Sequence, residues 1–201
     1  MTAILAPSKT YSLDEYRQLE EAAEERHEYH NGEIVLMTGG SLIHACIIRN
    51  LMVLLHLALK DTSFKVYGGE LRIWIPAHNR GLYPDLIVFQ GTPILTKNRN
   101  DEVLNPYLLI EVLSPSTEAY DRGQKFRFYR GIPSLQDYLL VSQTEPLIEH
   151  YHRTENDRWS FVAYQGLDTA FSLSTTNLEM NLSQVYQDVF TEGLSTASEK
   201  C

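Results

Sequence analysis

Two short apolar segments, each carrying one acidic residue, constrain the fold of this chain more than any other feature. LYPDLIVF contains Asp85 and PYLLIEVL contains Glu111, among apolar neighbours rich in β-branched and aromatic types. Such runs are typical of strands at the centre of a sheet. A carboxylate there loses hydration, which costs several kcal/mol unless a cation, a hydrogen-bond donor or a proton compensates it. Two such strands in succession indicate a shared compensator.

Strand alternation predicts the direction of both carboxylates. Residues two apart share a face, so Asp85 lies with Ile87, and Glu111 lies with Leu109. If the strands are neighbours, the carboxylates lie side by side. Oxygen ligands suit a hard cation such as Mg²⁺ (or Mn²⁺), and Mg²⁺ usually takes one or two carboxylates and fills its octahedron with water or phosphate oxygens. The pair therefore predicts metal-assisted phosphodiester cleavage.

A structural interpretation of the same carboxylates stays open at this point. Asp85 would sit at a strand entrance after Pro84, capped by backbone donors, and Glu111 would pair with Arg72 or Lys125. Each carboxylate taken singly fits either interpretation, and their occurrence together favours a functional site.

The remaining patterns predict one α/β (α+β) domain over residues 11–190, between an N-terminal extension (1–10) and a polar C-terminal tail (191–201). Its first predicted element is a helix over 11–25, with Ser12 as N-cap and Glu15 three residues on. The other predicted elements are a hairpin turning at Asn31-Gly32, a buried helix over 41–60, the strand runs FKVYGGELRIWIP, LYPDLIVF and NPYLLIEVL, a helix over 118–130, the strand QDYLLVS, and a hairpin of LIEHYHR with WSFVAYQG. Because the first strands form hairpins, we expect a mixed central sheet flanked by helices, with an added N-terminal hairpin.

Composition and charge narrow the classes of protein to which the chain could belong. A length of 201 residues with 43% hydrophobic side chains fits one domain with a sizeable core. No window approaches the ~18 apolar residues of a membrane span, and the first residues lack a secretion-signal pattern, so we expect a cytoplasmic protein. Cys46 and Cys201 suggest no disulfide framework. The net charge of −9 argues against a strong sequence-independent grip on phosphate backbones, so any contact with nucleic acid must be local.

The helix over 118–130 places Asp121, Lys125 and Tyr129 on one stripe, at i, i+4 and i+8. In one interpretation, Asp121 and Lys125 form a pair on a solvated face, which stabilises by a few tenths of a kcal/mol. In the other, the Lys125 ammonium reaches over the metal site, where it orients the attacking water or stabilises a pentavalent phosphate. Both interpretations remain open at the level of sequence.

Glu28 is a third acidic candidate, and its alternative is a solvent-facing partner of Arg26 or His30. His44 could point toward a substrate, although a histidine in the first turns of a helix is more often a surface or capping residue. The histidines show no HxxxH or Cys-His spacing, so the sequence does not predict a zinc site. It also contains no GxGxxG, GxxxxGK[ST] or GxSxG motif.

A family resemblance covers about residues 10–165. The ordered series EYHNGEIVLM, His44, YPDLIVF, LLIEVLSPSTEAYDRGQKFRFYR and DYLLVS resembles the Uma-type family of restriction endonucleases, formerly a domain of unknown function. Its most specific element is EVLSPST followed by Asp121, Lys125 and Tyr129.

The resemblance implies the PD-(D/E)XK nuclease fold, in which the Asp of PD and the Glu of an E-x-K strand hold the metal. Pro84-Asp85 matches the PD, and Glu111 matches the acidic position. Leu113 occupies the lysine position, which makes Lys125 on the following helix the substitute. Metal ligands at Asp85 and Glu111, bound to Mg²⁺ (or Mn²⁺), are therefore expected.

In the same resemblance, Glu28 looks like the glutamate that completes the acidic set in part of the superfamily. The catalytic residues implied are Glu28, Asp85, Glu111 and Lys125. The leading hypothesis is a metal-dependent endonuclease acting on DNA, and the alternative is a non-catalytic module that keeps the sheet for binding or oligomerisation. The hairpins over 28–37 and 148–164 leave strand edges that a homodimer could cover, so we also expect a homodimer.

Overall fold

The computed structural model describes residues 9–37, 39–173, 176 and 178–190. The predicted C-terminal tail and most of the predicted N-terminal extension lie outside these residues. The helices are α1 (Leu13–Ala22), α2 (Leu42–Ala58), α3 (Glu118–Tyr120), α4 (Phe126–Tyr129) and α5 (Leu182–Val185), with a π-helical turn over Asp121–Lys125 between α3 and α4. The strands are β1 (His27–His30), β2 (Glu33–Leu36), β3 (Phe64–Gly68), β4 (Arg72–Ile75), β5 (Arg80–Leu82), β6 (Leu86–Gln90), β7 (Glu102–Val103), β8 (Leu108–Val112), β9 (Asp137–Val141), β10 (Leu147–Arg153), β11 (Trp159–Gln165), β12 (Ala170–Leu173) and β13 (Leu178–Asn181).

Two mixed sheets carry the fold in the described part of the chain. The main sheet has the order β11-β10-β9-β8-β6-β3, and the N-terminal sheet has the order β2-β1-β5-β4-β7. Strands β8 and β9 are parallel, whereas β6 and β10 on either side of them run antiparallel. A small hairpin pairs β12 with β13. The predicted mixed α+β architecture is confirmed.

The two faces of the main sheet pack against different partners. Alternate side chains such as Val88, Ile110 and Leu139 pack against α2. The intervening side chains, among them Ile87 and Leu109, pack against the N-terminal sheet and α4. Because both faces are buried, β6, β8 and β9 read as nearly continuous apolar runs.

Several local predictions are confirmed. Ser12 caps α1 in a reciprocal capping box with Glu15. The hairpin β1–β2 turns at Asn31 and Gly32, whose φ angles of 53° and 105° suit the tight turn that an Asn-Gly pair favours. Ser41, a cap that was not predicted, begins α2 by accepting a hydrogen bond from the His44 amide at 3.1 Å. No helix within the described residues combines the length and apolarity needed to cross a bilayer.

Two predicted strand runs were wrong in extent, because each crosses from one sheet to the other. FKVYGGELRIWIP divides into β3 in the main sheet and β4 in the N-terminal sheet, and LYPDLIVF divides between β5 and β6. Asp85 therefore lies just before β6 and not inside a strand. Pro84 has no amide hydrogen to donate to a sheet. The β3–β4 and β5–β6 connections lie against each other, since a Cβ on Gly69 would lie 2.6 Å from the Pro84 carbonyl oxygen.

Two further regions differ from the sequence-based prediction. The helix predicted over 118–130 is interrupted by the π-helical turn over Asp121–Lys125. Strands β12 and β13 and helix α5 were not predicted. Their segments are short, and they bury side chains such as Phe171 and Leu182 only by packing against the main core. Weak local periodicity gave no signal for them.

A buried ion pair anchors the N-terminal sheet. The Arg72 guanidinium has no exposed surface and donates to the Glu102 carboxylate at 2.9–3.0 Å. It also donates to the hydroxyls of Tyr16 and Tyr83 at 3.2 and 3.1 Å. Burial alone would lower the pKa of Arg72, but these tyrosines and Glu102 raise it. The sequence-based alternative that paired Glu111 with Arg72 is therefore wrong.

Replacing Tyr16 by Phe is expected to lower the free energy of unfolding by about 1–3 kcal/mol, the cost of leaving buried partners unpaired. The Tyr16 hydroxyl donates to the His27 carbonyl oxygen at 2.5 Å and accepts from the buried Arg72, so its removal leaves one buried and one partly buried partner without a hydrogen bond. Urea denaturation followed by circular dichroism measures the change. Tyr67→Phe is the matched control, since Tyr67 is 38% exposed and should change stability by less than about 0.5 kcal/mol. Equal, small changes in both variants would contradict the hydrogen bonds assigned to the Tyr16 hydroxyl.

Candidate functional site

A cleft of about 620 Å³ opens where the end of β8, the entry to β6, strand β1, the start of α2 and the π-helical turn meet. All four residues predicted as catalytic line it, although they come from four separate parts of the chain. The charged and titratable residues that line it are Glu28, His30, His44, Tyr83, Asp85, Glu111, Tyr120, Asp121 and Lys125. The structure thus brings the predicted residues together in one place.

Glu111 lies near the end of β8, on the face of the main sheet that packs against the N-terminal sheet. Its Oε1 accepts a hydrogen bond from the Tyr129 hydroxyl at 3.2 Å and forms an ion pair with Lys125 at 2.9 Å. Burial raises the pKa of Glu111 well above its usual value, and the charges of Asp121 and Asp85 add to this, while Lys125 opposes it. The carboxylate is held by two donors in an environment that disfavours its negative charge.

Asp85 lies in the connection just before β6. Since Leu86 pairs with Ile110, continuing the antiparallel register by one residue sets Asp85 opposite Glu111. The Val112 amide donates to Asp85 Oδ2 at 2.7 Å, and His44 Nε2 lies 3.2 Å from the same oxygen. The predicted backbone donor is therefore present, and it fixes the orientation of a carboxylate that still faces the cleft.

Lys125 extends from the π-helical turn into the centre of the acidic group. Its Nζ lies 2.9 Å from Glu111 and 3.6 Å from both Glu28 and Asp121, and it donates to the Tyr83 carbonyl oxygen at 3.3 Å. Burial alone would lower the pKa of Lys125, but the three carboxylates raise it well above its usual value. The interpretation that placed Asp121 and Lys125 on a solvated face was wrong, because both side chains are buried.

Glu28 lies on β1, where the N-terminal sheet meets the cleft. Its carboxylate accepts from the Tyr83 amide at 3.1 Å and contacts His30 Nε2 at 2.8 Å. Burial would raise the pKa of Glu28, but Lys125, His30 and the Tyr83 amide outweigh burial and lower it. His30 is thus its partner, as one alternative predicted, but the side chain is buried and does not face solvent.

His44 stands in the first turn of α2, beside the cleft. The His44 amide donates the capping hydrogen bond to Ser41 Oγ at the start of the helix. Gly40 leaves room for the imidazole, since a Cβ on Gly40 would lie 2.7 Å from His44 Nδ1. The other ring nitrogen contacts Asp85. The histidine therefore holds a second contact to the Asp85 carboxylate, beside that of the Val112 amide.

The carboxylate oxygens that line the cleft suit a hard divalent cation as ligands. Among the described residues that line it, four carboxylates face one lysine, a formal charge of −3 when all are ionised and the histidines are neutral. Burial and repulsion between the carboxylates raise the pKa of Asp121 as well as that of Glu111. A cation beside Asp85 and Glu111 would relieve this repulsion, and oxygen donors of this kind are those that Mg²⁺ and Mn²⁺ prefer.

Two residues of the site were not predicted as functional. Asp121 supplies the fourth carboxylate, and the Tyr129 hydroxyl orients Glu111. Both share the helical stripe of Lys125, and three polar residues on one stripe beside aromatic neighbours are a signal of a buried polar group. Sequence alone did not show which side of the helix would be covered.

Comparison with known proteins gives the same family as the sequence motifs. The sequence model of the Uma2 family, described as "Putative restriction endonuclease", matches residues 13–183. Two proteins of Synechocystis sp. are similar over most of their length. "Uncharacterized protein sll1609" is 36% identical over 85% of this chain and 97% of its own, and "Uncharacterized protein slr1290" is 37% identical over 90% of this chain and 94% of its own.

A solved structure supports the fold. A "putative nuclease belonging to DUF820" from Anabaena variabilis superposes with a TM-score of 0.74, covering 90% of this chain and 99% of that one, at 18% sequence identity. At this identity the similarity establishes the fold alone, and the predicted restriction-endonuclease-like core is confirmed. Because the family model spans most of the chain and both relatives exceed 30% identity, the chain belongs to the Uma2 family.

Proposed function

We propose that this protein is a divalent-metal-dependent endonuclease that hydrolyses phosphodiester bonds in DNA, with the acidic cleft as its active site. The observation that carries the proposal is the placement of Lys125 against Glu111, with Asp85 opposite that glutamate in the extended register. Carboxylates for a cation and an ammonium for a phosphate are the groups that phosphodiester hydrolysis requires. Membership of a family described as restriction endonucleases supports it.

Asp85 and Glu111 would hold Mg²⁺ (or Mn²⁺). When bound, such an ion supplies Lewis-acid polarisation of the phosphate and a more acidic water molecule. The chain itself limits the freedom of both ligands, since the Val112 amide fixes the Asp85 carboxylate and the Tyr129 hydroxyl fixes that of Glu111. Ligands that are already oriented lose less conformational entropy on binding.

Lys125 would donate hydrogen bonds to the attacking water or to the pentavalent phosphate as negative charge develops. Glu28 and Asp121 lie 3.6 Å from its ammonium and keep it protonated and in place. Glu28 thereby tunes the site through Lys125. The proposed PD-(D/E)XK arrangement thus takes its lysine from the π-helical turn and not from β8.

The contact with DNA would be confined to the cleft. Arg99 pairs with Asp101 and Glu21, and Arg122 pairs with Glu118 and Glu149, so two of the basic residues are already neutralised. With a net charge of −9, the chain has little excess positive charge for a general grip on phosphates. Binding through a few local contacts is therefore part of the proposal.

A homodimer also belongs to the proposal. Strand β2 forms one edge of the N-terminal sheet, and β11 forms one edge of the main sheet. Apolar side chains are exposed on both, including Val35 and Leu36 on β2 and Phe161 and Val162 on β11. A second copy that paired with either edge would cover its unpaired backbone groups.

The wild-type protein is expected to bind Mn²⁺ or Mg²⁺ at millimolar concentrations or below and to cleave plasmid or oligonucleotide DNA only in their presence. The reason is that the carboxylates of the cleft repel one another without a cation, and the proposed chemistry cannot start without one. Isothermal titration measures uptake, and gel assays with EDTA and with restored metal measure cleavage. A chain that takes up no ion at millimolar concentration would favour the non-catalytic binding module instead.

A further inference from the structure

A second group of metal-ligating side chains lies away from the cleft. Asp137 begins β9, and His150 and His152 lie two residues apart on the neighbouring strand β10. The antiparallel register pairs His152 with Asp137 and His150 with Leu139. Because paired residues point to one side, all three side chains project from the same face of the main sheet.

That face is the opposite of the one that bears Glu111. Leu139 and Ile148, which share the side of the histidines, pack in the core with α2, whereas Leu109 and Leu140 pack on the other side. The two groups also lie at different ends of the strands, since Asp137 pairs with Leu108 at the start of β8. The thickness of the sheet therefore separates this group from the cleft.

The geometry of the group suits an ion with few ligands. Asp137 Oδ1 faces His150 Nε2 at 2.7 Å and His152 Nδ1 at 2.9 Å. The three ligand atoms all lie within 4.8 Å of one another. A tetrahedral ion with bonds of ~2.0–2.1 Å holds its ligands ~3.3 Å apart, so shifts below ~1 Å would admit it. The ion would take the place of the protons that now join the two rings to the carboxylate.

Two of these side chains are buried, and the group is open to solvent on the side of His152. Asp137 has no exposed surface and His150 is nearly as buried, whereas the His152 side chain is 26% exposed. The His150 ring stacks on Tyr164 with centroids 6.4 Å apart, which limits its rotation. A buried carboxylate requires compensation by a cation or by donors, and here two imidazoles approach it.

We propose that Asp137, His150 and His152 form a three-ligand site for Zn²⁺, with water as the fourth ligand on the side open at His152. Two imidazoles and one carboxylate are a zinc ligand set, and nitrogen donors disfavour the hard Mg²⁺ expected in the cleft. The ion would join β9 to β10 and stabilise the main sheet by mass action. In the sequence the site is marked by a His-X-His pattern on a strand, where residues two apart share a face. Metal motifs on helices use other spacings, because residues two apart on a helix face different directions.

The test is Zn²⁺ titration of the full chain, followed by calorimetry and thermal unfolding, with excess Mg²⁺ added to compete for the carboxylates of the cleft. The wild type is expected to take up one Zn²⁺ per chain with a rise in Tm, and to give visible absorption bands of tetrahedral Co²⁺ when Co²⁺ replaces it. The variant with His150→Gln and His152→Gln is expected to lose at least ~100-fold in affinity, because replacing a group that only supports a metal ligand already costs about 10–100-fold and here two ligands are removed. His30→Gln with His44→Gln is the matched control and should keep the wild-type affinity.

The outcomes separate the proposal from its alternatives. Absence of Zn²⁺ uptake by the wild type at about 100 µM free ion would overturn it. So would loss of binding in the His30 and His44 control with retention in the β10 variant, since the ion would then belong to the cleft. Should circular dichroism show that the double variant is unfolded, His152→Gln alone decides, because that side chain is partly exposed. Wild-type affinity in this folded variant would exclude the site.

Discussion

Asp85→Asn is expected to abolish metal-dependent cleavage while leaving the free energy of unfolding unchanged or slightly higher. The amide keeps the shape of the carboxylate and can still accept the hydrogen bond from the Val112 amide. It removes a charge that would bind the cation, and a loss of at least about 10³-fold in rate follows if the site works as proposed. The same charge repels Glu111 and Asp121, so the folded state does not need it.

The stability effect of Asp85→Asn should depend on pH in a defined direction. The pKa of Glu111 is raised above its usual value of 4.5, so in the folded protein this group opposes stability as the pH rises above 4.5. The charge of Asp85 contributes to the raised pKa of Glu111. Removing that charge therefore weakens the loss of folding stability that an ionised Glu111 causes. Any gain in stability should therefore appear at neutral pH and be absent below about pH 4.5, where Glu111 is protonated in both states.

Cleavage assays with Mn²⁺ and urea unfolding at pH 4 and pH 7 measure both properties of the Asp85 variant. Asp168→Asn, in the exposed turn after β11, is the matched control and should change neither rate nor stability. A parallel fall of melting temperature and activity in Asp85→Asn would show that the carboxylate is structural, as the alternative interpretation held.

Lys125→Met is expected to lower the cleavage rate by about 10²–10³-fold at saturating Mn²⁺, the scale for removing one donor to a developing negative charge. In the proposed arrangement Leu113 stands at the lysine position of the superfamily, and its side chain is buried in the core. Among the described residues lining the cleft, Lys125 is the one lysine. The developing charge on the phosphate would therefore lose its ammonium donor.

The Lys125 experiment must separate catalysis from stability. Without the ammonium, Glu28, Glu111 and Asp121 are left without their shared partner, which destabilises by about 3–5 kcal/mol for a broken buried pair. Bound Mn²⁺ offsets part of this cost, so rates are compared at saturating metal on protein shown to be folded. Lys65→Met, at an exposed position of β3, is the control.

Wild-type kcat in Lys125→Met would end the proposal that this lysine replaces the missing one. Absence of cleavage by the wild type as well would favour the non-catalytic module, in which the cleft serves for binding. Reduced kcat with an unchanged Mn²⁺ affinity would support the assigned role.

The sequence by itself determined much of the local structure and indicated residues that the fold brings together in one cleft. Ser12 with Glu15, and Asn31 with Gly32, specify a cap and a turn through contacts between residues close in the chain, so these predictions held. The apolar runs around Asp85 and Glu111 indicated central strands, because burial on both faces of a strand leaves a continuous apolar pattern. Glu111 is buried as this pattern predicts, whereas Asp85 lies before its strand and is partly exposed. Alternation then correctly placed Ile87 and Leu109 on one face.

Only the tertiary structure decided which of these groups meet. It moved Asp85 out of a strand at the crossing between two sheets, paired Arg72 with Glu102, and covered the stripe of Lys125 so that the lysine enters the cleft. It likewise brought Asp137 to His150 and His152 from the next strand. The physical reason is that hydrophobic periodicity reports whether a side chain is buried, whereas its partner is set by strand order and register between distant segments, which no local pattern encodes.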